Sequence, residues 1–220
     1  MNNLIEHIID EELLWLSADR TIFWENQNAL IVSDLHFGKT GHFRKSGIAV
    51  PAAIYKEDLQ RLFNSIFYFK AKRLIVVGDM FHSVANKELN LFLKWRNDIE
   101  NVTIDLIKGN HDILKPQWYV DANICVHEQY LLMNHFAFVH DMDTPISHTL
   151  TKVPYVFSGH IHPGIVIKGM SRQRLQFPCF WFGLHHAILP AFSRFTGTMP
   201  LKRISTDTIF AIVNQQIVKV

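Results

Sequence analysis

Apolar runs in this chain break off, again and again, into the same few polar residue types. Ala29 to Val32 ends in Ser33-Asp34-Leu35-His36, Leu74 to Val77 in Gly78-Asp79, and Ile104 to Ile107, through Lys108, in Gly109-Asn110-His111-Asp112. Phe136 to Val139 ends in His140-Asp141, and Val153 to Phe157 in Gly159-His160-Ile161-His162. Short uninterrupted apolar runs bounded by turn residues read as buried strands. Each would therefore deliver its polar residues where a strand opens into a loop, and in open α/β sheets chemistry sits at the carboxyl ends of the strands.

Between these runs the periodicity changes. Leu13 to Leu16 and Thr21 to Trp24, around Ser17-Ala18-Asp19-Arg20, read as an edge hairpin leading into the strand at Ala29; it could form a dimer edge or be capped within the monomer. Pro51 suits a first helical position, and Ile54, Leu59, Leu62, Phe63, Ile66 and Phe67 follow at helical spacing. A second helix is predicted over 86–96, between strands 73–77 and 102–107. Such alternation marks a largely parallel sheet. From Asn123 onward only short strands are predicted, at 124–126, 130–133, 136–139, 155–157, 165–167, 179–182, 187–189, 208–213 and 217–220. An α/β first half and an all-β second half, both carrying candidate ligands, predict two packed sheets with a site along their shared edge. With no repeat or linker in view, residues 1–220 read as one domain.

Composition narrows the partners. The chain is 48% apolar and 19% charged, which excludes a disordered polymer. A formal net charge of +2 is too small to announce nucleic-acid binding, so any such partner must be argued locally. The acidic start, with Glu6, Asp10, Glu11 and Glu12, does not read as a signal peptide, and no apolar run is long enough to span a membrane. Cys125 and Cys179, isolated among apolar residues, read as buried thiols in a reducing cytoplasm. Thirteen histidines remain to be explained.

The set of strand-end residues offers that explanation. Taken singly, each motif reads equally well as a polar turn or a helix cap. Together Asp34, His36, Asp79, Asn110, His140, His160 and His162 are seven oxygen or nitrogen donors at the ends of apolar runs, where an unpaired polar group is costly. Carboxylate, amide and imidazole without thiolate favour Mn, Fe, Zn or Mg over soft metals. Two ions roughly 3.5–4 Å apart need a bridging carboxylate, and Asp79 is the sole acid of its motif. His127, His135 and His148 compete with His140, which is preferred because it follows Phe138-Val139 and precedes a polar loop.

In this order the motifs, spanning Asp34 to Pro163, resemble the signature of the calcineurin-like metallophosphoesterases. The resemblance implies a four-layer α/β/β/α sandwich of two packed mixed sheets with a dinuclear site at its edge. It implies one divalent ion, Mn first among the candidates, held by Asp34, His36, Asp79 and His162, and a second held by Asp79, Asn110, His140 and His160. His111 would face the substrate and protonate the leaving oxygen or stabilise developing charge, with Asp112 orienting it. The implied reaction is in-line attack on phosphorus by a hydroxide bridging the metals.

Two further segments narrow the resemblance. Leu35 to Lys39 with His42 to Pro51, and Phe177 to Trp181 with Leu189 to Phe192 and Phe195-Thr196-Gly197, are similar to the bacterial ligase-associated DNA-damage-response endonucleases. This subgroup implies a nuclease acting on DNA in repair, associated with a DNA ligase and a helicase. One departure stands out: Ser193-Arg194 occupies the place where Gly-Asp is expected. Lys39, His42, Arg44 and Lys45 would contact substrate phosphates, or form an ordinary solvated basic loop. Phe177, Phe180, Trp181 and Phe182 read as core rather than as a base-stacking platform. A small-molecule phosphatase or phosphodiesterase is the alternative activity, and a non-catalytic scaffold stands behind both.

Overall fold

A computed structural model describes residues 4–39, 53–82, 87–146, 154–169 and 174–220, and in them the apolar runs are strands. In chain order the elements are β1 (Leu4–Ile9), β2 (Glu12–Ser17), β3 (Thr21–Trp24), β4 (Ala29–Val32), α1 (Ala53–Phe69), β5 (Arg73–Val77), α2 (Lys87–Asp98), β6 (Thr103–Ile107), α3 (Pro116–Asp121), β7 (Ile124–His127) and β8 (Tyr130–Met133). There follow β9 (Phe136–Val139), β10 (Tyr155–Ser158), β11 (Pro163–Lys168), β12 (Arg174–Phe182), β13 (His186–Ile188), β14 (Met199–Pro200), β15 (Thr208–Val213) and β16 (Gln216–Lys219).

Strands β1 to β7 form one sheet in sequence order, antiparallel as far as β4 and parallel from β4 to β7. The second sheet runs β14-β11-β12-β13-β10-β9-β8, with β15 beside β12 and β16 beside β15; β9 and β13 both lie parallel to β10. Residue parity explains why the central strands carry no polar alternation. Leu30, Val32, Leu74, Val76, Ile104 and Leu106 face a core shared with Leu62, Ile66, Leu89 and Phe92 of the helices. Their neighbours Ile31, Ile75, Val77 and Ile107 face the second sheet and meet Phe136, Phe138, Phe157, Phe180, Phe182 and Phe210. A strand covered on both faces reads as a continuous apolar run.

The result is an α/β fold of two packed mixed sheets. Among the described residues its α-helices lie on the outer face of the first sheet, and a smaller cluster around Cys179, Trp181, Ile188 and Ile209 covers the outer face of the second. The late aromatic residues Phe180 and Phe182 are core, as their apolar setting suggests. Arg96 closes α2 by donating to the carbonyls of Ile99 (2.6 Å), Val102 (3.0 Å) and Ala122 (3.1 Å), which ties the helix to the chain on either side of β6.

Two expectations change, and one helix appears that the sequence did not predict. The β2-β3 hairpin is not the sheet edge, because β1 pairs along the whole of β2 and lies outside it. The hairpin is capped from within: Trp24 is buried against Phe136 (4.7 Å between centroids), and its indole donates to Glu12 at 2.7 Å. The short α3, opened by Pro116, has too few residues to carry a periodic signal. Cys125 is exposed rather than buried, since β7 ends the sheet and the second sheet does not reach over it.

Phe138 is fully buried between the sheets and stacks on Phe157, 5.4 Å away. Phe138→Ala is expected to destabilise the fold by about 3–5 kcal/mol. Urea unfolding checks this through a lowered midpoint with an unchanged slope.

Candidate metal centre

Five parallel strand ends meet at one edge of the sandwich. The chain leaves β4 at Ser33-Asp34, β5 at Gly78-Asp79, β6 at Lys108-Gly109, β9 at His140 and β10 at Gly159-His160. Backbone bonds lock these exits together: Asp34 N–H donates to Gly78 O (3.1 Å), His36 N–H to Asp79 O (2.9 Å) and Gly159 N–H to His140 O (3.1 Å). His160 N–H donates to the Asp34 carboxylate at 3.1 Å, which joins the two sheets directly.

The side chains fall into two adjoining groups. In one, Asp34, His36 and His162 each offer a ligand atom within 4.8 Å of the others, with His162 Nε2 at 3.2 Å from Asp34 Oδ1. In the other, His140 Nε2 lies 3.6 Å from Asp79 Oδ1, 3.1 Å from Asn110 Oδ1 and 3.2 Å from His160 Nδ1. Asp34 belongs to both groups, its ligand atom also within 4.8 Å of those of Asp79 and His140, and Asp79 lies between them, its other oxygen 4.0 Å from His36 Nδ1. All seven predicted donors are therefore brought together. His127 instead pairs with Asp105 at 2.8 Å, away from this cluster.

Electrostatics fit a cation. His36 is buried, and neither ring nitrogen has a hydrogen-bond partner. Burial drives its pKa down to about 2, with Lys39, His162 and His82 adding to the effect against Asp34, so the ring is neutral with a lone pair to give. Burial alone would raise Asp34, but bonding and attraction from His162, with His140 and Ser33, outweigh it and hold the carboxyl below its usual range. Burial raises Asp79 above its usual range despite His140. Two carboxylates and a neutral, unpartnered imidazole packed beside three more histidines form a donor set suited to divalent metal.

Backbone conformation records the same crowding. Asp34, His36, Asp79, His160 and His162 all have φ between 49° and 65°, a left-handed region that non-glycine residues adopt at a cost. Glycine occupies the tightest approaches. At Gly78, with φ of 80°, an added Cβ would sit 1.8 Å from His140 Nδ1; at Gly109 it would sit 2.2 Å from Asp79 Oδ1.

His111 anchors through its backbone, whose N–H donates to Asp79 Oδ1 at 2.9 Å, while its side chain is 41% exposed. Its ring is therefore open to a substrate. Asp112 does not orient it. The buried carboxylate instead accepts from Phe81 N–H and Gly109 N–H, both at 2.9 Å, and clamps the β5 and β6 loops together; burial raises it to about 7 against those bonds. Two contributors escaped the sequence reading. Ser33 Oγ donates to Asp34 at 2.6 Å, and the His82 ring lies 4.2 Å from that of His111, three residues beyond Asp79 in the same loop. Lys39 sits beside the centre, its pKa lowered by burial against attraction from Asp34 and Asp79. His42, Arg44 and Lys45 lie outside the described residues.

No family model matches the chain, and no curated protein does. Among solved structures it is similar to the Pseudomonas putida nuclease MPE, with a TM-score of 0.83 and 28% identity over 99% of this chain and 100% of that one. The Escherichia coli phosphoesterase YfcE aligns at a TM-score of 0.45 and 14% identity over 87% of this chain and 97% of that one, too distant to carry argument. The end-to-end likeness joins the motif order and the clustered donors. The chain shares its α/β fold, end to end, with that nuclease. Its clustered Asp and His side chains form groups that could hold divalent metal.

The chain braces Asp34 from behind with the segment that contains Ser193-Arg194. Phe192 N–H donates to Ser33 O (2.8 Å), and Ser193 N–H to Asp34 O (3.3 Å). Arg20 donates to the carbonyls of Ala191 (2.9 Å) and Ser193 (2.8 Å), and the Arg61 guanidinium, paired with Asp58 at 2.8 Å, lies 3.9 Å over the Phe192 ring. The Ser193 hydroxyl bonds Asp58 behind the centre, and the Arg194 guanidinium lies 4.0 Å from Asp19. The departure therefore alters a brace and leaves the seven donors in place.

Gly78→Ala is expected to cost about 1–3 kcal/mol of stability and to displace His140, so that more metal is needed for half-maximal activity. Thermal unfolding and a metal titration of phosphodiester hydrolysis measure both effects. Asp112→Ala strands two buried amides and should lower stability by about 2–5 kcal/mol. Asp112→Asn should leave the pH profile of hydrolysis unchanged, and a shifted profile would return Asp112 to the catalytic group.

Proposed function

We propose that residues 1–220 act as a single-domain nuclease, a dinuclear-metal phosphodiesterase cleaving DNA in repair. The observation that carries this reading is the gathering of the donors at one sheet edge, where Asp34 belongs to both candidate clusters and Asp79 reaches His36 and His140, with Lys39 beside them. The Pseudomonas putida relative is named a nuclease, which supports nucleic acid as the substrate class. Asp34, His36, Asp79 and His162 hold one ion, and Asp79, Asn110, His140 and His160 hold the other. Manganese is the favoured metal, with iron, zinc or magnesium as the other divalent choices. Once bound, the ions supply charge neutralisation at the phosphoryl oxygens and acidify water.

The protein's own groups do the remaining work. The backbone bond from His111 N–H to Asp79 fixes the His111 main chain, leaving its ring free to donate a proton to the leaving oxygen. His82, packed against it, limits the directions in which that ring can point. Lys39, half-buried next to two carboxylates, adds positive charge where a phosphodiester backbone would lie, and His42, Arg44 and Lys45, which follow it in sequence, are proposed as further phosphate contacts. Contacts of this kind set position and affinity without reading bases, as an enzyme for damaged or single-stranded ends requires. Association with a DNA ligase and a helicase follows from the sequence resemblance, and a cytoplasmic location from the two isolated cysteines; no described helix is long and apolar enough to cross a membrane.

Metal-stripped protein should regain hydrolysis of an aryl phosphodiester with Mn, in preference to the matching monoester. Asp79→Asn should lower kcat/KM by about three orders of magnitude or more, and His111→Ala by about 10²–10⁴-fold. Full activity without metal would overturn the reading. DNA oligonucleotides should compete with the aryl substrate and lose that competition steeply as salt rises. Competition by mononucleotides alone, insensitive to salt, would instead identify a small-molecule phosphodiesterase.

A further inference from the structure

The described side chains include one more group able to hold a metal ion, and it lies outside the centre. Asp105, Cys125 and His127 place a carboxylate oxygen, a thiol sulfur and a ring nitrogen within 4.8 Å of one another. Strand register produces the group. Asp105 on β6 pairs directly with Cys125 on β7, and His127 is two residues further along, on the same face of that strand. This is the face that carries Ile75, Val77 and Ile107 into the inter-sheet core. At the terminal strand the core runs out, leaving Cys125 exposed and His127 partly so.

Asp105 is ion-paired but short of hydrogen bonds. Its residue is 5% exposed, and its Oδ2 has no hydrogen-bond partner. Oδ1 is 2.8 Å from His127 Nε2, while the nearest cation to Oδ2 is Arg73 Nε at 3.5 Å. A buried carboxylate oxygen without a donor is costly, and a cation at the mouth of the group would satisfy it. The donor chemistry also differs from that of the main centre. One thiolate, one imidazole and one carboxylate match zinc and its thiophilic relatives, with a solvent-facing fourth position, whereas the main centre has no sulfur.

We propose that Asp105, Cys125 and His127 bind a single thiophilic divalent cation of the zinc class, tying edge strand β7 to β6. On binding, the Cys125 thiol releases its proton to solvent, and His127 coordinates through one ring nitrogen while keeping its proton on the other. Thiolate and carboxylate then balance the ion, with Arg73 remaining as a bordering charge.

Cadmium alone is the probe, because its sulfur-to-metal charge-transfer band in the ultraviolet reports a thiolate ligand and is silent for the sulfur-free main centre. Titrated into metal-stripped full-length protein, it should produce that band to a limit of one sulfur-bound ion per chain. Cys125→Ser should abolish the band, and His127→Ala and Asp105→Asn should each weaken cadmium affinity tenfold or more. Asp79→Asn, which disables the main centre, should leave the band intact. No band, or a band that survives Cys125→Ser, overturns the proposal. So does unchanged affinity in both His127→Ala and Asp105→Asn, which would mean that the thiol binds cadmium alone.

Discussion

The bond from His160 N–H to the Asp34 carboxylate is where the two sheets meet chemically. Asp34 is wholly buried at the end of β4, and a carboxylate there is tolerable only because hydrogen-bonding groups surround it. Ser33, His160 and His162 supply that surrounding from both sheets, and segment 190–194 supplies the backing. Elsewhere the sheets hold together through apolar packing, which is strong but tolerant of small shifts. At this edge a shift of about an ångström would separate a charge from its partners. The apolar core brings the strand ends close, and Asp34 sets their alignment.

That alignment is reached through conformations the backbone would not choose on local grounds. Five of the seven donors sit at positive φ without being glycine, each at a cost of order 1–3 kcal/mol. Such residues persist where the surroundings over-determine them. Here the determinants are the backbone bonds between the exits of β4 and β5 and between those of β9 and β10. A centre assembled this way is pre-formed, so its donors need little reorganisation when a cation arrives.

The structure also separates residues that resemble each other on paper. Asp79 and Asp112 both follow β-strands in acid-containing loops, yet Asp79 stands between two donor groups while Asp112 spends both oxygens on backbone amides. Ser193-Arg194 likewise stands out in sequence only as a departure from Gly-Asp, whereas in the fold its Ser193 hydroxyl meets Asp58 behind Asp34. Each distinction depends on which loop packs against which, and loops far apart in sequence decide it.

Strand positions and the donor types were legible in the chain because they depend on local periodicity: continuous apolar runs where both faces are covered, and abrupt polar exits where they end. Gly78 and Gly109 were legible as residues but not as causes, since their role comes from His140 and Asp79 approaching from elsewhere in the chain. The β1 edge, the short α3 and the exposure of Cys125 were not legible, because an edge is defined by which neighbour is missing. By itself the sequence determined the α/β architecture and which oxygen- and nitrogen-bearing side chains stand at the strand ends as candidate donors, both of which local pattern and side-chain chemistry dictate. Only the tertiary structure decided how those donors group, which acid stands between the groups and which merely clamps loops, because those are distances between residues that the chain keeps apart and the two sheets bring together.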